Sequence, residues 1–368
     1  MLRLRNSLTR RIGSFFSDQG FTSANTPILT GNDAEGAGEA FRIAPMDLSH
    51  PAAVAAASSS SSPSPASQES TSEFFSRPAY LTVSHQLHLE ALATALSRVY
   101  TLSPCFRAEP SLTRRHLAEF WMLEAEWAFT NSMSGGRDVR EVCKFVEAMI
   151  RGVAGPLVAS GSVDPDVASL WKKADDPDGG KLASLQTSFA QPDWWATMTY
   201  TEAVRELQAA VENKAVDFEY EVKWGKGLQS EHEKWLAETL VKGPVFVTDY
   251  PKDLKPFYMR VNEGDPRTVA CFDLLVPHLG ELVGGSVREE RVEVLHESMK
   301  KAGLVPPEGE DVGEEANAYK WYEDLRKYGG APHAGFGMGF ERLVAWVGGV
   351  ENVRECVPMP RWAGRLLL

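Results

Sequence analysis

The sequence lacks the features that mark several common protein classes. Only four of its 368 residues are cysteine, and none forms a Cys-x-x-Cys pair, which argues against a zinc site or a disulfide framework and fits a reducing compartment. No apolar run approaches the roughly 20 residues of a membrane span. With 38 Lys and Arg against 50 Asp and Glu, the formal charge is -12. Bulk charge therefore gives no general affinity for nucleic acid, and any such contact requires local basic patches.

The sequence also lacks βαβ alternation. Antiparallel-looking strands with helices between and after them predict an α+β sheet instead. The glycine-rich segment GFGMG (335–339) is consequently a poor dinucleotide loop, since it lacks the acidic partner of a Rossmann unit.

The most informative stretch is a strand, a basic turn and a second strand over residues 99–129. The second strand alternates, with one apolar face made of Trp121, Leu123, Ala125, Trp127 and Phe129. We expect the other face, carrying Phe120, Met122, Glu124, Glu126 and Ala128, to be an open sheet surface.

Basic residues crowd one end of this hairpin. Arg107 and Glu109 lie two apart and share a face, and Arg114, Arg115 and His116 lie in the turn. A sheet surface with carboxylates and a ring beneath a cationic loop suits an anionic ligand with a flat ring, such as ATP. The alternative is a salt-bridged sheet face without a ligand.

Two further clusters carry chemistry. Asp273 lies on a mostly apolar strand, where a lone acid is costly unless it is paired or metal-bound, and Glu281 follows a turn. Two hard oxygen donors near a nucleotide suit Mg²⁺. The alternative interpretation is that the two carboxylates are a surface acid pair without a metal. Arg342 follows the glycine segment in the first turn of a helix, where it is placed to clamp a phosphate or to serve as a structural ion-pair partner.

The remaining pattern predicts one domain over residues 1–368. Residues 2–17 fit an amphipathic helix, although four arginines before the first acid also resemble a mitochondrial transit peptide. We expect a disordered low-complexity insertion at 51–72 and a peripheral polar insertion at 155–195. The segments expected to be regular are helices at 85–98, 138–153, 201–211 and 230–240, strands at 245–248, 257–261, 269–276 and 335–339, and a final helix at 340–346.

Several of these segments resemble one known family. FRAE (106–109) with TRRHLAEFWMLEAE (113–126) resembles motif 2 of the class II aminoacyl-tRNA synthetases, and GFGMGFERLVAW (335–346) resembles motif 3. The first helix through Pro27 resembles motif 1, the dimer-forming element. Within the class, the asparaginyl-tRNA synthetases are the most similar, on segments EGAGE (35–39), YLTVSHQLHLE (80–90), LQSEHEKWLAE (228–238), TDYPKDLKPFYMR (248–260) and GELVGGSVREER (280–291).

The resemblance implies the class II catalytic fold, a mostly antiparallel sheet flanked by helices, and asparagine–tRNA ligase activity. Arg107 and Arg342 would be the catalytic arginines, and the ATP-binding set would be Arg107, Glu109, Arg115, His116, Phe120, Glu281 and Arg342. Asp273 and Glu281 would hold Mg²⁺. The amino-acid pocket would contain Glu35, Gln86, Glu124 and Arg288. No nucleophilic side chain is needed, because the carboxylate of the amino acid itself attacks the α-phosphorus.

The choice of asparagine over aspartate is expected to depend on three positions. Aspartate enzymes carry a lysine where this chain has Leu89, and an aspartate where it has Glu124. An amide requires one donor and one acceptor, which Arg288 and Glu124 would supply. His85, in place of a smaller residue, is expected to crowd this pocket.

The resemblance also sets the expected partners. They are asparagine, the acceptor end of tRNA(Asn), and a second copy of the chain through the motif 1 helix and the Pro27 region, with no membrane. The family's amino-terminal anticodon-binding OB domain is expected to be absent, which leaves open a catalytic-domain paralogue that makes asparagine or aspartyl-adenylate, or an inactive dimeric regulator. The segments WMLEAEWAF (121–129) and VTDYPKDLKPFYMR (247–260) resemble the bacterial and organellar branch of the family. Together with the Ser- and Pro-rich insertion, they indicate the mitochondrial matrix, with the cytoplasm as the alternative.

Overall fold

The computed structural model describes residues 1–31, 40–43, 74–111, 113–129, 138–174, 176–305 and 318–366. Glu35 and the predicted insertion at 51–72 lie outside these ranges. None of the helices in the described ranges combines the length and apolar composition of a transmembrane span.

The helices, in chain order, are α1 (Leu2–Asp18), α2 (Gln86–Leu96), α3 (Val139–Val158), α4 (Pro165–Trp171), α5 (Gly180–Ala190), α6 (Tyr200–Glu212), α7 (Ser230–Trp235), α8 (Val292–Lys301), α9 (Lys320–Lys327) and α10 (Phe340–Gly348). The strands are β1 (Thr22–Ser23), β2 (Leu29–Thr30), β3 (Arg42–Ile43), β4 (Ala79–Leu81), β5 (Arg98–Phe106), β6 (Glu119–Ala128), β7 (Ala196–Thr199), β8 (Val245–Thr248), β9 (Cys271–Val276), β10 (Gly280–Val287) and β11 (His333–Gly339). A π-helical turn, Leu236–Leu240, continues α7.

An eight-stranded sheet forms the centre of the molecule, in the order β1-β5-β6-β11-β10-β9-β8-β7. Only its two edge pairings, β1 with β5 and β7 with β8, are parallel. A separate small sheet has the order β2-β4-β3. The predicted α+β class, with a mostly antiparallel sheet flanked by helices, is therefore confirmed. Strand β11 lies between β6 and β10, so the glycine segment is a central strand of the sheet.

Helix α1 covers one face of this sheet, as its apolar spacing predicts. Its buried side chains repeat at helical intervals, namely Leu4, Leu8, Ile12 and Phe16. The Phe16 ring stacks on the ring of Tyr100 from β5, with centroids 4.4 Å apart. The helix predicted at 2–17 is confirmed.

The segment 155–195 is not peripheral, contrary to the prediction. It contains the end of α3 and all of α4 and α5. Val158, Val167, Leu185 and Trp195 from this segment are buried in the main core. Its polar composition concealed a few widely spaced apolar residues that pack deeply, because a helix needs only one apolar stripe to dock.

The strand predicted at 257–261 is also wrong. In its place the chain makes two isolated bridges, Met259 to Arg288 and Val261 to Val269. The other strands form close to their predicted positions, and 245–248 has the predicted bounds.

Replacing Phe16 by alanine should lower the free energy of unfolding by about 3–5 kcal/mol, because a fully buried ring leaves a cavity beside Tyr100. Urea denaturation monitored by circular dichroism measures this loss. The matched control is Leu2→Ala on the same helix, where the side chain is 60% exposed and a change within about 0.5 kcal/mol is expected. Equal losses in the two variants would contradict the packing described for α1.

Candidate active site

A cleft opens over the carboxyl end of β11. The seven residues of the predicted ATP-binding set all line it, namely Arg107, Glu109, Arg115, His116, Phe120, Glu281 and Arg342. They come from the β5–β6 connection, β6, β10 and the first turn of α10. The pairing of β6 and β10 with β11 therefore brings together residues up to 235 positions apart in the chain (342 minus 107).

The turn between β5 and β6 presents most of the cationic groups. The Arg107 guanidinium lies 5.4 Å from the centre of the Phe120 ring and 3.8 Å from Glu109. His116 Nε2 lies 3.0 Å from a Glu109 oxygen, and its Nδ1 lies 2.5 Å from the Thr113 hydroxyl. Glu109 thus orients two neighbouring basic groups towards the cleft.

Two other basic groups border the same cleft. Arg115 reaches across to α7, where it donates to Ser230 and lies 3.5 Å from Glu233. Burial and the guanidinium groups of Arg342, Arg115 and Arg107 lower the pKa of His116, and Glu109 only partly opposes them. At neutral pH the cleft therefore presents three arginines and a largely neutral imidazole.

Arg342 connects α10 to β10. Its Nη1 donates to the Glu281 backbone oxygen at 2.8 Å and lies 3.5 Å from the Glu281 carboxylate. Burial alone would raise the pKa of Glu281, but Arg342, Lys255 and Arg107 outweigh it and lower the pKa. Arg342 remains 26% exposed, so its guanidinium faces the cleft while it holds Glu281.

Asp273 has a partner that the sequence prediction missed. Lys255 Nζ donates to both Asp273 oxygens at 2.8 and 2.7 Å, and it lies 4.0 Å from the centre of the Tyr250 ring. Burial alone would lower the pKa of Lys255, but the Asp273 carboxylate outweighs it and raises the pKa. The pair is therefore charged.

The donor chemistry at this point fits Mg²⁺. The Asp273 and Glu281 carboxylates both lie beside Gly284, at 3.5 and 3.3 Å from the position of a Cβ built there. Glu233 is a third carboxylate nearby, and burial together with Glu281 raises its pKa. A divalent cation placed here would share Asp273 with the Lys255 ammonium group.

The second half of the site lies deeper between β6, β10 and α2. Glu124 is buried rather than on an open surface, as is Glu126. Glu124 accepts from the Ser84 hydroxyl at 2.5 Å and from the His85 backbone N–H at 2.9 Å. The sequence pattern gave the correct face, but it could not show that α2 covers that face.

Both ring nitrogens of His85 lie within hydrogen-bond distance of groups outside this pocket. Its side chain is fully buried, with Nδ1 2.6 Å from the Thr26 hydroxyl and Nε2 3.1 Å from the Pro104 carbonyl oxygen. The ring is thus held by a residue just ahead of β2 and by a residue of β5. These contacts do not support the expectation that His85 crowds the pocket.

Arg288 is the buried cation of this half, and its partner is Glu126. Its Nε and Nη2 donate to the two Glu126 oxygens at 3.0 and 2.9 Å, and its Nη1 donates to the Ser286 hydroxyl at 2.6 Å. The bidentate pair fixes the plane of the guanidinium. Sequence reasoning named Arg288 and Glu124 but left Glu126 out of the site.

Glycines in β11 make room for these side chains. A Cβ on Gly335 would lie 1.9 Å from a Glu126 oxygen and 2.6 Å from Arg288 Nη2. A Cβ on Gly337 would lie 2.9 Å from the Met122 methyl group. At Gly335, the glycine strand therefore leaves room for the protein's own ion pair.

Two predicted residues of the amino-acid pocket remain, Gln86 and Glu35. Gln86, in the first turn of α2, donates from Nε2 to Glu90 at 3.2 Å. Glu35 lies outside the described residues. Reasoning from the sequence missed Lys255, Glu233 and the buried carboxylate Glu90. Of these, Glu90 alone carried a signal, as an acid within the apolar segment LEALATAL (89–96), whereas Lys255 and Glu233 lie among other charged residues.

Replacing Lys255 by methionine should lower the free energy of unfolding by about 3–5 kcal/mol, because Asp273 would remain buried without its ammonium partner. Urea denaturation at pH 7 measures this effect. Lys301→Met is the control, since Lys301 pairs with Asp253 on an exposed surface where the loss should stay below about 1 kcal/mol. If both variants lost the same small amount, Lys255 would not be the partner that keeps Asp273 charged.

Comparison with known proteins gives a consistent result. The model of the family described as class II tRNA synthetases (D, K and N) matches residues 1–363. The asparagine–tRNA ligase of Legionella pneumophila (strain Lens) is 42% identical over 362 residues, which cover 98% of this chain and 69% of that protein. The asparagine–tRNA ligase of Escherichia coli O157:H7 is 43% identical over 360 residues, with the same coverage.

Solved structures agree with the sequence relatives. The asparaginyl-tRNA synthetase of Pyrococcus horikoshii, in complex with asparaginyl-adenylate, has a TM-score of 0.76 and 31% identity, and the match covers 99% of this chain and 69% of that one. The Entamoeba histolytica enzyme, also with asparaginyl-adenylate, has a TM-score of 0.73 and 26% identity, covering 99% of this chain and 67% of that one. The chain therefore belongs to the class II tRNA synthetases of the aspartate, lysine and asparagine group, and within it to the asparagine–tRNA ligase family.

Proposed function

We propose that this chain activates asparagine with ATP to form asparaginyl-adenylate and transfers the asparaginyl group to the 3′ end of tRNA(Asn). One observation carries the proposal. Three arginines, Arg107, Arg115 and Arg342, line a cleft over β11, and farther along the sheet a guanidinium, Arg288, and a carboxylate, Glu124, are both buried. Relatives that are asparagine–tRNA ligases match nearly the whole chain, which supports the same substrate.

The cleft would hold ATP. Phe120 offers a ring face for the adenine, and Arg107, Arg115 and Arg342 line the same cavity with positive charge for the phosphates. Arginine suits this task, because its planar fork donates two parallel hydrogen bonds to phosphate oxygens.

The reaction needs alignment and charge neutralisation more than a protein nucleophile. A carboxylate oxygen of asparagine bonds to the α-phosphorus, the bond to the bridging oxygen breaks, and pyrophosphate leaves. Arg107 and Arg342 stabilise the charge that develops on the phosphoryl oxygens. Mg²⁺, when bound, would be held by Asp273 and Glu281, and it would neutralise phosphate charge there.

The side-chain amide of asparagine would be recognised by one hydrogen-bond donor and one acceptor of opposite charge. Arg288 would donate to the side-chain carbonyl oxygen of asparagine, and Glu124 would accept from its NH₂ group. An aspartate carboxylate would instead face the Glu124 carboxylate in a buried pocket, where repulsion and missing hydrogen bonds are expensive. Leu89 is buried and supplies no positive charge to compensate.

A second copy of the chain and the acceptor end of tRNA(Asn) are further proposed partners. Exposed apolar side chains on both Ile28 and Leu29, directly after Pro27, support pairing through the motif 1 region. Placement in the mitochondrial matrix, with the cytoplasm as the alternative, stays a prediction from the sequence.

The direct test is ATP–pyrophosphate exchange. We expect exchange to require asparagine and Mg²⁺, to stop with EDTA, and to fall about 100-fold or more in kcat/KM for Arg342→Ala, since one group that stabilises developing charge is lost. Arg205→Ala, an exposed arginine on α6, should leave exchange unchanged.

Charging of tRNA(Asn) then separates a ligase from an enzyme that stops at the adenylate. Exchange without asparagine, or full activity in Arg342→Ala, would refute the proposal.

Glu124→Gln tests the recognition of the amide. The ratio of kcat/KM for asparagine to that for aspartate should fall about 100-fold, because the charge that repels aspartate is removed and an NH₂ donor that can bind a carboxylate is introduced. Exchange assays with each amino acid measure the ratio. Glu119→Gln is the control, since Glu119 lies on the same strand but faces Arg361 at the surface. An unchanged ratio in Glu124→Gln would exclude Glu124 as the selecting residue.

A further inference from the structure

We propose that Glu90 is a positioning residue for asparagine, which fixes Gln86 and balances the charge of Arg288, and thereby contributes to the rejection of aspartate. The inference rests on the proposed function. It assigns part of the specificity to a buried residue that lies behind the pocket rather than against the substrate.

Glu90 is the centre of a buried hydrogen-bond network. It lies on α2 and is 1% exposed. Tyr322 donates its hydroxyl to the two Glu90 oxygens at 2.8 and 2.7 Å, and Arg326 donates from Nη2 at 2.5 Å. His333 Nε2 lies 3.0 Å from the same carboxylate. Donors from α9 and β11 thus converge on one side chain of α2.

The network reaches the amino-acid pocket at two points. Gln86, one helical turn before Glu90, donates from Nε2 to Glu90 Oε1 at 3.2 Å. Arg288 Nε lies 4.0 Å from that same oxygen and donates to Glu126 at 3.0 Å. Glu90 therefore accepts a hydrogen bond from a predicted wall of the pocket and lies beside its cation.

The nucleotide cleft is a separate set of residues. Neither Glu90 nor its hydrogen-bonding partners Gln86, Tyr322, Arg326 and His333 lines the cleft. A change at Glu90 should consequently alter the response to the amino acid and leave the response to ATP intact.

The charge balance explains the preference for a neutral amide. Two guanidinium groups, Arg288 and Arg326, face two carboxylates, Glu90 and Glu126, in a buried space. An amide oxygen needs only a hydrogen bond from Arg288, whereas an aspartate would add a further carboxylate to a buried space that already holds Glu90, Glu126 and Glu124. In a poorly screened interior, this extra charge is costly.

The state of Glu90 agrees with this role. Burial alone would raise the pKa of Glu90, but Arg326, His333 and Arg288 outweigh it and lower the pKa. The carboxylate is therefore charged at neutral pH.

A purely structural role makes a different prediction. If Glu90 served only to fasten α9 to α2, its replacement would lower stability and affect all kinetic constants alike. Positioning instead predicts a change confined to the amino acid.

The experiment uses Glu90→Gln and ATP–pyrophosphate exchange, with ATP, asparagine and aspartate varied in turn. We expect KM for asparagine to rise about 10-fold or more and the asparagine-to-aspartate ratio of kcat/KM to fall about 10-fold or more, the usual scale for a lost charged hydrogen bond. KM for ATP should stay within about twofold.

Glu147→Gln is the matched control. Glu147 is a buried carboxylate on α3, 2% exposed, that pairs with Arg151 at 2.7 Å. Its loss should lower the unfolding temperature and leave both KM values and the ratio within about twofold.

Tyr322→Phe keeps the proposal testable if Glu90→Gln does not fold. It removes one hydroxyl donor to Glu90 and retains the ring. KM for asparagine should rise about threefold, less than in Glu90→Gln because Arg326 and His333 still hold the carboxylate, with KM for ATP unchanged.

Three results would overturn the inference. The first is a Glu90→Gln variant in which KM for asparagine and the asparagine-to-aspartate ratio of kcat/KM are both unchanged. The second is a rise in KM for ATP equal to the rise in KM for asparagine. The third, which applies where Glu90→Gln does not fold, is a Tyr322→Phe variant with an unchanged KM for asparagine. If the wild-type chain lacked asparagine-dependent exchange, the proposed function would fail and this inference with it. If the wild type exchanged normally and the variants did not differ from it, only this inference would fail.

Discussion

The buried ion pair between Arg288 and Glu126 is the interaction on which the site depends. Its two carboxylate–guanidinium hydrogen bonds, 3.0 and 2.9 Å long, join Arg288, the residue directly after β10, to Glu126 on β6 across the strand between them. That crossing is possible only because the intervening strand carries Gly335, where any side chain would collide with the pair. Since a buried guanidinium without a partner is strongly destabilising, the sheet order and the pair support each other.

The same principle organises the rest of the cleft. The three arginines near the predicted phosphates are all held by acids: Arg342 by Glu281 and Arg115 by Glu233 from other elements, and Arg107 by Glu109 of its own connection. Such pairing limits the motion of long side chains and reduces the reorganisation needed when a charged substrate arrives. Lys255 does the same for Asp273, so the proposed metal site is already partly neutralised in the protein alone.

Local pattern was sufficient for the fold class and for the hairpin that supplies five of the seven predicted residues lining the cleft. The alternation in β6 gave the correct faces, and the residues around the β5–β6 turn are close in sequence, so their convergence followed from one hairpin. The partners of buried charges could not be predicted this way. Arg326 lies 236 residues from Glu90, and nothing local to either shows that β11 and α9 bring them together. Composition misled at 155–195, where Val167 and Leu185 are deeply buried within a polar stretch.

The central claim is that a neutral amide fits between a charge-balanced Arg288 and Glu124. A crystal structure of the chain with a non-hydrolysable asparaginyl-adenylate analogue tests it most directly. The account predicts that the amide oxygen accepts from Arg288 and the amide nitrogen donates to Glu124, while Arg288 keeps its bidentate contact with Glu126. An amide that touches neither residue, or an Arg288 that leaves Glu126 to bind it, would contradict the account.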